Sequence, residues 1–245
     1  MSNIAILLEF NLKNILMLTC PQCSSTTSIV KNGVKKNKTQ NFLCKNCKRQ
    51  FIDQDKLKYP ACKNKTKSLI VRCLSRGSGI RDAAYIAGVS TKSVLKKLCS
   101  LPYKLKPKSQ HYEELQVDEL WSYVQSKRNK VWIIYLYSKE TKEVVAYEYG
   151  KRNTKTVQKL WNKLQELGVK VNTVKSDNWK AFKHVFTNVN HLVSKYFTKA
   201  IEGNNCLLRT RMRRLFRRTC NFSKKISNHI KALELAIYNI NVLKM

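Results

Sequence analysis

Carboxylates are scarce in this sequence, 15 Asp and Glu against 48 Lys and Arg, so those that interrupt apolar stretches are informative. Asp118 falls inside Leu-Gln-Val-Asp-Glu-Leu-Trp, Asp177 ends Val-Asn-Thr-Val-Lys-Ser-Asp, and Glu202 opens a helical stretch in Ala-Ile-Glu-Gly-Asn-Asn. A charge within a central strand is unfavourable unless it is paired or bound to metal. Three such groups that converge could hold two divalent ions. One would activate an attacking water or 3′-hydroxyl, and the other would stabilise the leaving oxygen of an in-line displacement. Mg²⁺ suits donors that are all oxygen. Each residue also has a plainer role. Asp118 could be an edge-strand charge, and Glu119, which strand alternation sends to the opposite face, could be the ligand instead. Asp177 could cap the next helix, and Glu202 could simply favour a helix N-terminus.

A second chemistry is written in cysteine. Cys20-Pro-Gln-Cys23 and Cys44-Lys-Asn-Cys47 are two close pairs separated by twenty residues. The two-residue spacing lets both thiolates of a pair reach one tetrahedral ion, so the two pairs predict one structural Zn²⁺. Phe42, Phe51 and the basic run from Lys31 to Lys38 suggest a zinc ribbon that also lies on DNA. The odd count of nine cysteines fits metal ligation in a reducing cytoplasm better than a secreted disulfide scaffold. Cys62, Cys73 and Cys99 read as small buried apolar residues.

Two basic segments complete the inventory. From Ile80 to Leu98 the sequence has the grammar of a helix-turn-helix, with Ala83, Ala84 and Ile86 for close packing, Gly88 for the turn and Ser90 as N-cap. Its second helix would offer Thr91, Lys92, Ser93, Lys96 and Lys97 to base edges and phosphates; an ordinary hairpin with a basic face is the alternative. Further on, Asn205 and Arg209 share the helical face of Glu202. Arg211, Arg213, Arg214, Arg217 and Arg218 would extend a phosphate track, and Leu208, Met212, Leu215 and Phe216 would face the core.

The elements that must position these groups divide the chain into five stretches. Residues 1–16 form an N-terminal extension of uncertain status, 17–58 the zinc ribbon, 59–101 the helix-turn-helix, 102–111 a basic linker, and 112–245 a catalytic domain. In the last, Leu115–Val124, Val131–Tyr137 and Glu143–Tyr149 read as an antiparallel meander. A helix over Thr154–Leu167 follows, then a strand over Val169–Ser176, a short helix over Trp179–Phe186 and a strand over His191–Val193. Helices over about 202–219 and 224–242 finish the chain. The order β-β-β-α-β-α-β-α is that of the ribonuclease H fold, which makes the whole an α+β, multidomain protein. The net charge of +33 and the pI near 10.0 call for a polyanion as partner. No segment suits a membrane: Ile4 to Leu18 is too short to span one.

With these motifs together, the chain resembles transposases of the insertion sequence 1 family over nearly its whole length. The two cysteine pairs and the helix-turn-helix are similar to the family's N-terminal part. Val-Asp-Glu-Leu-Trp-Ser-Tyr, Ser-Asp-Asn-Trp and Ile-Glu-Gly-Asn-Asn-Cys-Leu-Leu-Arg-Thr-Arg are similar to its catalytic part, and Arg-Arg-Thr-Cys-Asn-Phe-Ser-Lys-Lys, followed by His229, to its C-terminal stretch. The resemblance implies a DDE carboxylate triad, Mg²⁺ dependence, binding to terminal inverted repeats and strand transfer into target DNA. Trp121, Trp179 and Asn204 would support the site. Pairing two DNA ends would need a homodimer or a larger assembly. A regulator that binds DNA without cutting, and a nuclease that cuts without joining, are the competing readings.

Overall fold

The computed structural model describes residues 18–53, 59–194, 196, 199–216 and 221–242. The N-terminal extension, Arg217 and Arg218 lie outside the described residues. The chain forms two compact units, Met1–Thr66 and Lys67–Met245.

In the first unit, strands β1 (Ile29–Val34), β2 (Gln40–Cys44) and β3 (Gln50–Ile52) make an antiparallel sheet in the order β1-β2-β3. Its core is small: Cys20, Cys44 and Phe51 are buried, with Leu18, Ile29, Phe42 and Cys47 packed around them. Among the described residues, so few buried apolar side chains offset little of the conformational entropy of ordering the segment. The two cysteine pairs repeat one backbone geometry. Cys20 N donates to Ser25 O and Cys44 N to Arg49 O, at 2.9 Å each. Ser24 and Lys48, each just past the second cysteine of its pair, take φ of 57° and 58°.

Helices α1 (Asn64–Ser75), α2 (Ile80–Ala87) and α3 (Thr91–Cys99) follow. Ile70, Ala83, Ala84 and Val94 are their shared core. Gly88, at φ 60°, closes α2 by donating to the Ala84 and Tyr85 carbonyls, a left-handed turn that glycine adopts without strain. Ser90 Oγ then accepts from Ser93 N and starts α3. The cysteines here depart from expectation. Cys62 and Cys99 are exposed and Cys73 is half-buried, because short helices leave one flank in water.

The large sheet has the order β6-β5-β4-β7-β8, from β4 (His111–Tyr123), β5 (Lys130–Ser138), β6 (Glu143–Gly150), β7 (Lys170–Ser176) and β8 (Asn190–Val193). Strands β4, β5 and β6 are antiparallel, while β7 and β8 join β4 in parallel. Parallel pairs need crossovers, supplied by α4 (Thr154–Glu166) and α5 (Lys180–Val185). These helices cover one face, where Val117, Ile134, Leu136, Val157, Leu160, Leu164 and Phe182 are buried together. The other face packs Leu120, Ile133, Tyr135 and Tyr137 against Ile201 and Leu208 of α6 (Lys199–Arg211) and Leu233 and Ile237 of α7 (Ile226–Val242). A central β4, an antiparallel side, a parallel side and helices on both faces make the ribonuclease H-like architecture.

The long helix expected over 202–219 is shorter. It begins at Lys199 and stops at Arg211, where Met212 turns out at φ −130°, ψ 86° into a 3₁₀ turn, Arg213–Leu215. The turn lets both Met212 and Leu215 reach the core, and Ser122 Oγ donates to the freed Arg214 carbonyl at 2.5 Å. Phe216, expected in the core, is 41% exposed.

Beside that turn His229 is fully buried, its Nδ1 3.2 Å from Ser223 Oγ. Burial, helped by the Arg214 charge, holds its imidazole down from 6.5 to about 4. The neutral form therefore contributes stability that is complete above the unfolded value of 6.5 and is lost as pH falls towards 4. That loss is about 3 kcal/mol. The expected result is a denaturation midpoint for the second unit that falls steeply between pH 7 and pH 4. His229→Gln, weaker at pH 7, should lose far less over the same range; parallel pH profiles for the two proteins would refute this.

Candidate active site

The two sequence neighbours Asp118 and Glu119 have different surroundings. Asp118 stands opposite Tyr135 on the central strand. Its Oδ1 accepts from Glu119 N at 2.8 Å and its Oδ2 from Asn205 Nδ2 at 2.6 Å. Asn205 is itself oriented by Tyr135, whose hydroxyl donates to Asn205 Oδ1 at 2.7 Å and accepts from Asn204 Nδ2 at 3.2 Å. Gln116 Oε1 takes the Ile201 N–H at 3.0 Å, a group that a helix N-terminus otherwise leaves without a partner. These bonds pin the first turn of α6, which carries Glu202, to the middle of β4.

Asp177 arrives by register. Gln116 pairs with Lys175 across the parallel β4–β7 ladder, so the residues two further along, Asp118 and Asp177, are level. Asp177 lies just past β7, and its Oδ1 accepts from Trp179 N at 3.0 Å, leading the chain into α5. Burial is the main reason the Asp118 carboxyl sits above the ordinary carboxylate range. The charges of Asp177 and Glu202 push it further up, while the Glu119 N–H and Asn205 oppose the shift. Asp118 thus feels both other carboxylates. The three are spread more widely than a closed ligand set: among the described residues, only Cys20, Cys23, Cys44 and Cys47 form a group of three or more His, Cys, Asp or Glu whose ligand atoms all lie within 4.8 Å.

Glu119 points the other way and is committed to an arginine. Its Oε1 accepts from Arg152 Nε at 2.9 Å and from Nη2. The Arg152 guanidinium lies 4.3 Å from the centroid of the Trp179 ring and 5.3 Å from that of Trp132, so it joins the loop after β6 to the residue that holds Asp177. Burial raises the Glu119 carboxyl, with Arg152 opposing. Arg152, Tyr135 and Gln116 escaped the sequence reading, since an arginine in a polar loop and polar residues in an apolar strand carry no local signal of their partners.

The residues expected to meet nucleic acid divide. Thr91, Lys92 and Lys96 are exposed on α3, whereas Ser93 and Lys97 are half-buried and Ser93 is engaged in the helix cap. Arg211 is half-buried at the end of α6 and Arg213 is exposed. Asn205 is buried against Asp118, away from solvent. Arg214 is turned inward, donating from Nη1 to Ser223 Oγ at 2.9 Å and to Asn228 O at 3.1 Å. The helix end at Arg211 rotates it off the expected track. Arg209 is half-buried on the face that carries Asn205.

In the cysteine centre, Cys20 Sγ is 3.5 Å from Cys47 Sγ, and Cys23 Sγ is 3.5 Å from Cys44 Sγ. The Cys20 thiol is lowered to about 6, first by the Cys23 backbone N–H, and Cys44 is lowered first by the Cys47 backbone N–H; Cys23 and Cys47 are raised by the neighbouring thiols and by burial, against the Ser25 and Arg49 amides. Four gathered sulfurs with amide donors that favour thiolates are a donor set compatible with zinc.

Residues 114–241 match the family model described as IS1 transposase. Over 118 residues the chain is 37% identical to the insertion element iso-IS1n protein InsB of Shigella dysenteriae, covering 48% of this chain and 88% of that protein. It is 31% identical over 134 residues to the insertion element IS1 2 protein InsB of Escherichia coli strain K12, covering 55% and 79%. Among solved structures it is similar to a simian T-cell lymphotropic virus intasome bound to a PP2A regulatory subunit, with TM-score 0.42, 20% identity and coverage of 76% and 70%. The catalytic core domain of BIV integrase gives TM-score 0.38, 14% identity and coverage of 54% and 86%.

Proposed function

Because the chain belongs to the IS1 transposase family, we propose that it binds the terminal inverted repeats of an insertion sequence and cuts and joins DNA strands. Asp118, Asp177 and Glu202 would hold two Mg²⁺ ions. The observation that carries this reading is the bond from Asn205 to Asp118, which ties the helix bearing Glu202 to β4, with Asp177 level with Asp118 just past the neighbouring strand. Three carboxylates would offer an all-oxygen donor set, which suits a small hard dication. When bound, Mg²⁺ would supply activation of a water or 3′-hydroxyl and charge neutralisation at the leaving oxygen.

The chain's own residues supply position. Asn205, braced by Tyr135, keeps one Asp118 oxygen fixed. Trp179 N fixes one Asp177 oxygen. Exposed Thr91, Lys92 and Lys96 on α3 would read an end, Arg211 and Arg213 would meet phosphates, and one Zn²⁺ on the four cysteines would hold the first unit folded. Two ends must be brought together, which calls for at least a dimer. Among the described residues no helix is long and apolar enough to cross a membrane; the DNA it acts on places its work in the cytoplasm.

The test is labelled duplex carrying the element's own end, incubated with and without Mg²⁺, for the wild type and Asp177→Ala. Metal-dependent nicking or joining at the end, lost in the variant, is the expected outcome. Tight end binding by the wild type with no cut would favour a regulator. Asn205→Ala should slow cleavage about 10- to 100-fold by releasing Asp118, since a hydrogen bond to a charged group contributes about 1.5–3 kcal/mol. End affinity should stay within about twofold. Equal loss of binding and cleavage would assign Asn205 to DNA contact instead.

A further inference from the structure

The helix-turn-helix does not hang from a tether; it is seated on the helices that carry the candidate site. Both lie in the same compact unit, and four contacts fix them. Gly77, at φ 88° between α1 and α2, lies so close to the end of α6 that a Cβ there would meet the Thr210 carbonyl oxygen at 2.4 Å. Asn239 of α7 is buried and donates from Nδ2 to the Ser75 carbonyl at 2.9 Å, satisfying the last turn of α1. Leu98 and Leu101 pack with Leu235 in one buried cluster that also takes in Val71 and Leu74. Cys99 Sγ donates to Asn228 Oδ1 at 3.1 Å. The connecting segment is strapped down as well: Tyr103 stacks on Tyr238 at 4.3 Å, and Lys108 N donates to Glu143 Oε1 at 3.3 Å.

Helix α6 links the two places. Glu202 and Asn205 lie near its start, at Asp118, and Thr210 lies against Gly77 near its end. Thr210 lies eight residues along the helix from Glu202, a rise of about 12 Å. We propose that this joint is a ruler: α3 and the carboxylates form one rigid body, so the protein cuts at a fixed distance along the DNA from the sequence that α3 reads. The proposal rests on the function argued above. A free linker of ten residues could extend about 35 Å, some ten base pairs at about 3.4 Å each, and would let the cut wander. Gly77 and Asn239 are therefore positioning residues for the site of cleavage, without contact to DNA or metal.

The experiment uses the full chain and end duplexes with one to three base pairs inserted between the α3 footprint, mapped by footprinting, and the normal cut. The wild type should shift its cut by the inserted number. Gly77→Val should bind the end within about threefold of wild type, yet spread its cuts over several base pairs and slow at least tenfold. Should Gly77→Val fail to fold, Asn239→Ala, which removes one buried hydrogen bond and adds no bulk, carries the same expectation of scattered cuts. A wild type that still cuts at the element's terminus despite the insertion overturns the ruler alone. So does a folded joint variant that cuts at a single position at the wild-type rate. No cut by the wild type on any end overturns the function beneath it and the ruler together.

Discussion

Asp118→Ala should leave a folded protein that still binds transposon ends and no longer cuts them. The loss in cleavage should be at least a thousandfold, about 4 kcal/mol of transition-state stabilisation. End affinity should remain within about twofold, because Asp118 is half-buried at mid-strand and offers DNA nothing but repulsion. The fold should survive. The substitution strips the acceptor from Asn205 Nδ2 and Glu119 N, which costs about 1–3 kcal/mol, and it also removes a carboxylate held above its ordinary range by burial. End cleavage, gel shift and thermal melting on one preparation separate these effects. Cleavage within tenfold of wild type would remove Asp118 from the triad and return Glu119 to consideration, although its Oε1 is engaged by Arg152.

The second large effect lies in the first unit. Cys44→Ser, or stripping the metal with a chelator, should unfold the three-stranded sheet and weaken end binding at least tenfold. Among the described residues the buried apolar side chains there are Cys20, Cys44 and Phe51, and structural zinc typically supplies about 10–16 kcal/mol to modules of this kind. Protease should then cut within residues 18–53, while the second unit, with its own core, melts as before. Zinc content measured beside proteolysis and gel shift checks this. An intact first unit without zinc, binding DNA as tightly as wild type, would contradict it.

Much of the architecture was legible because local apolar runs, helical spacing and turn residues carried it. Apolar, β-branched and aromatic runs at Leu115–Val124 and Val131–Tyr137, with turn residues between, lead to β4 and β5, and Gly168 closes α4 at φ 69°. The four cysteines needed only their spacing. What stayed hidden depends on contacts distant in sequence. The break at Met212 follows from two side chains competing for one core and from the Ser122 hydroxyl ninety residues back. Asn205 looked like a DNA contact because it shares a helix face with Glu202; that face turns to Asp118 and Tyr135. Arg214 read as one more charge in a basic run, yet it is an internal donor to Ser223 and Asn228. The seat of α1–α3 on α6 and α7 was invisible too. Gly77 and Asn239 are unremarkable in their local sequence and acquire their roles only from each other's surroundings.

Whether these carboxylates hold metal for phosphodiester chemistry is tested most sharply by end cleavage with Asp177→Cys in Mg²⁺ and in Mn²⁺. A thiolate is a poor ligand for Mg²⁺ and a better one for the softer Mn²⁺. If Asp177 is a ligand, the variant cuts the element's end in Mn²⁺ and not in Mg²⁺, while the wild type cuts in both. Cleavage by Asp177→Cys in Mg²⁺ within about tenfold of wild type would show that no ion depends on this side chain, and the account of the site would fail.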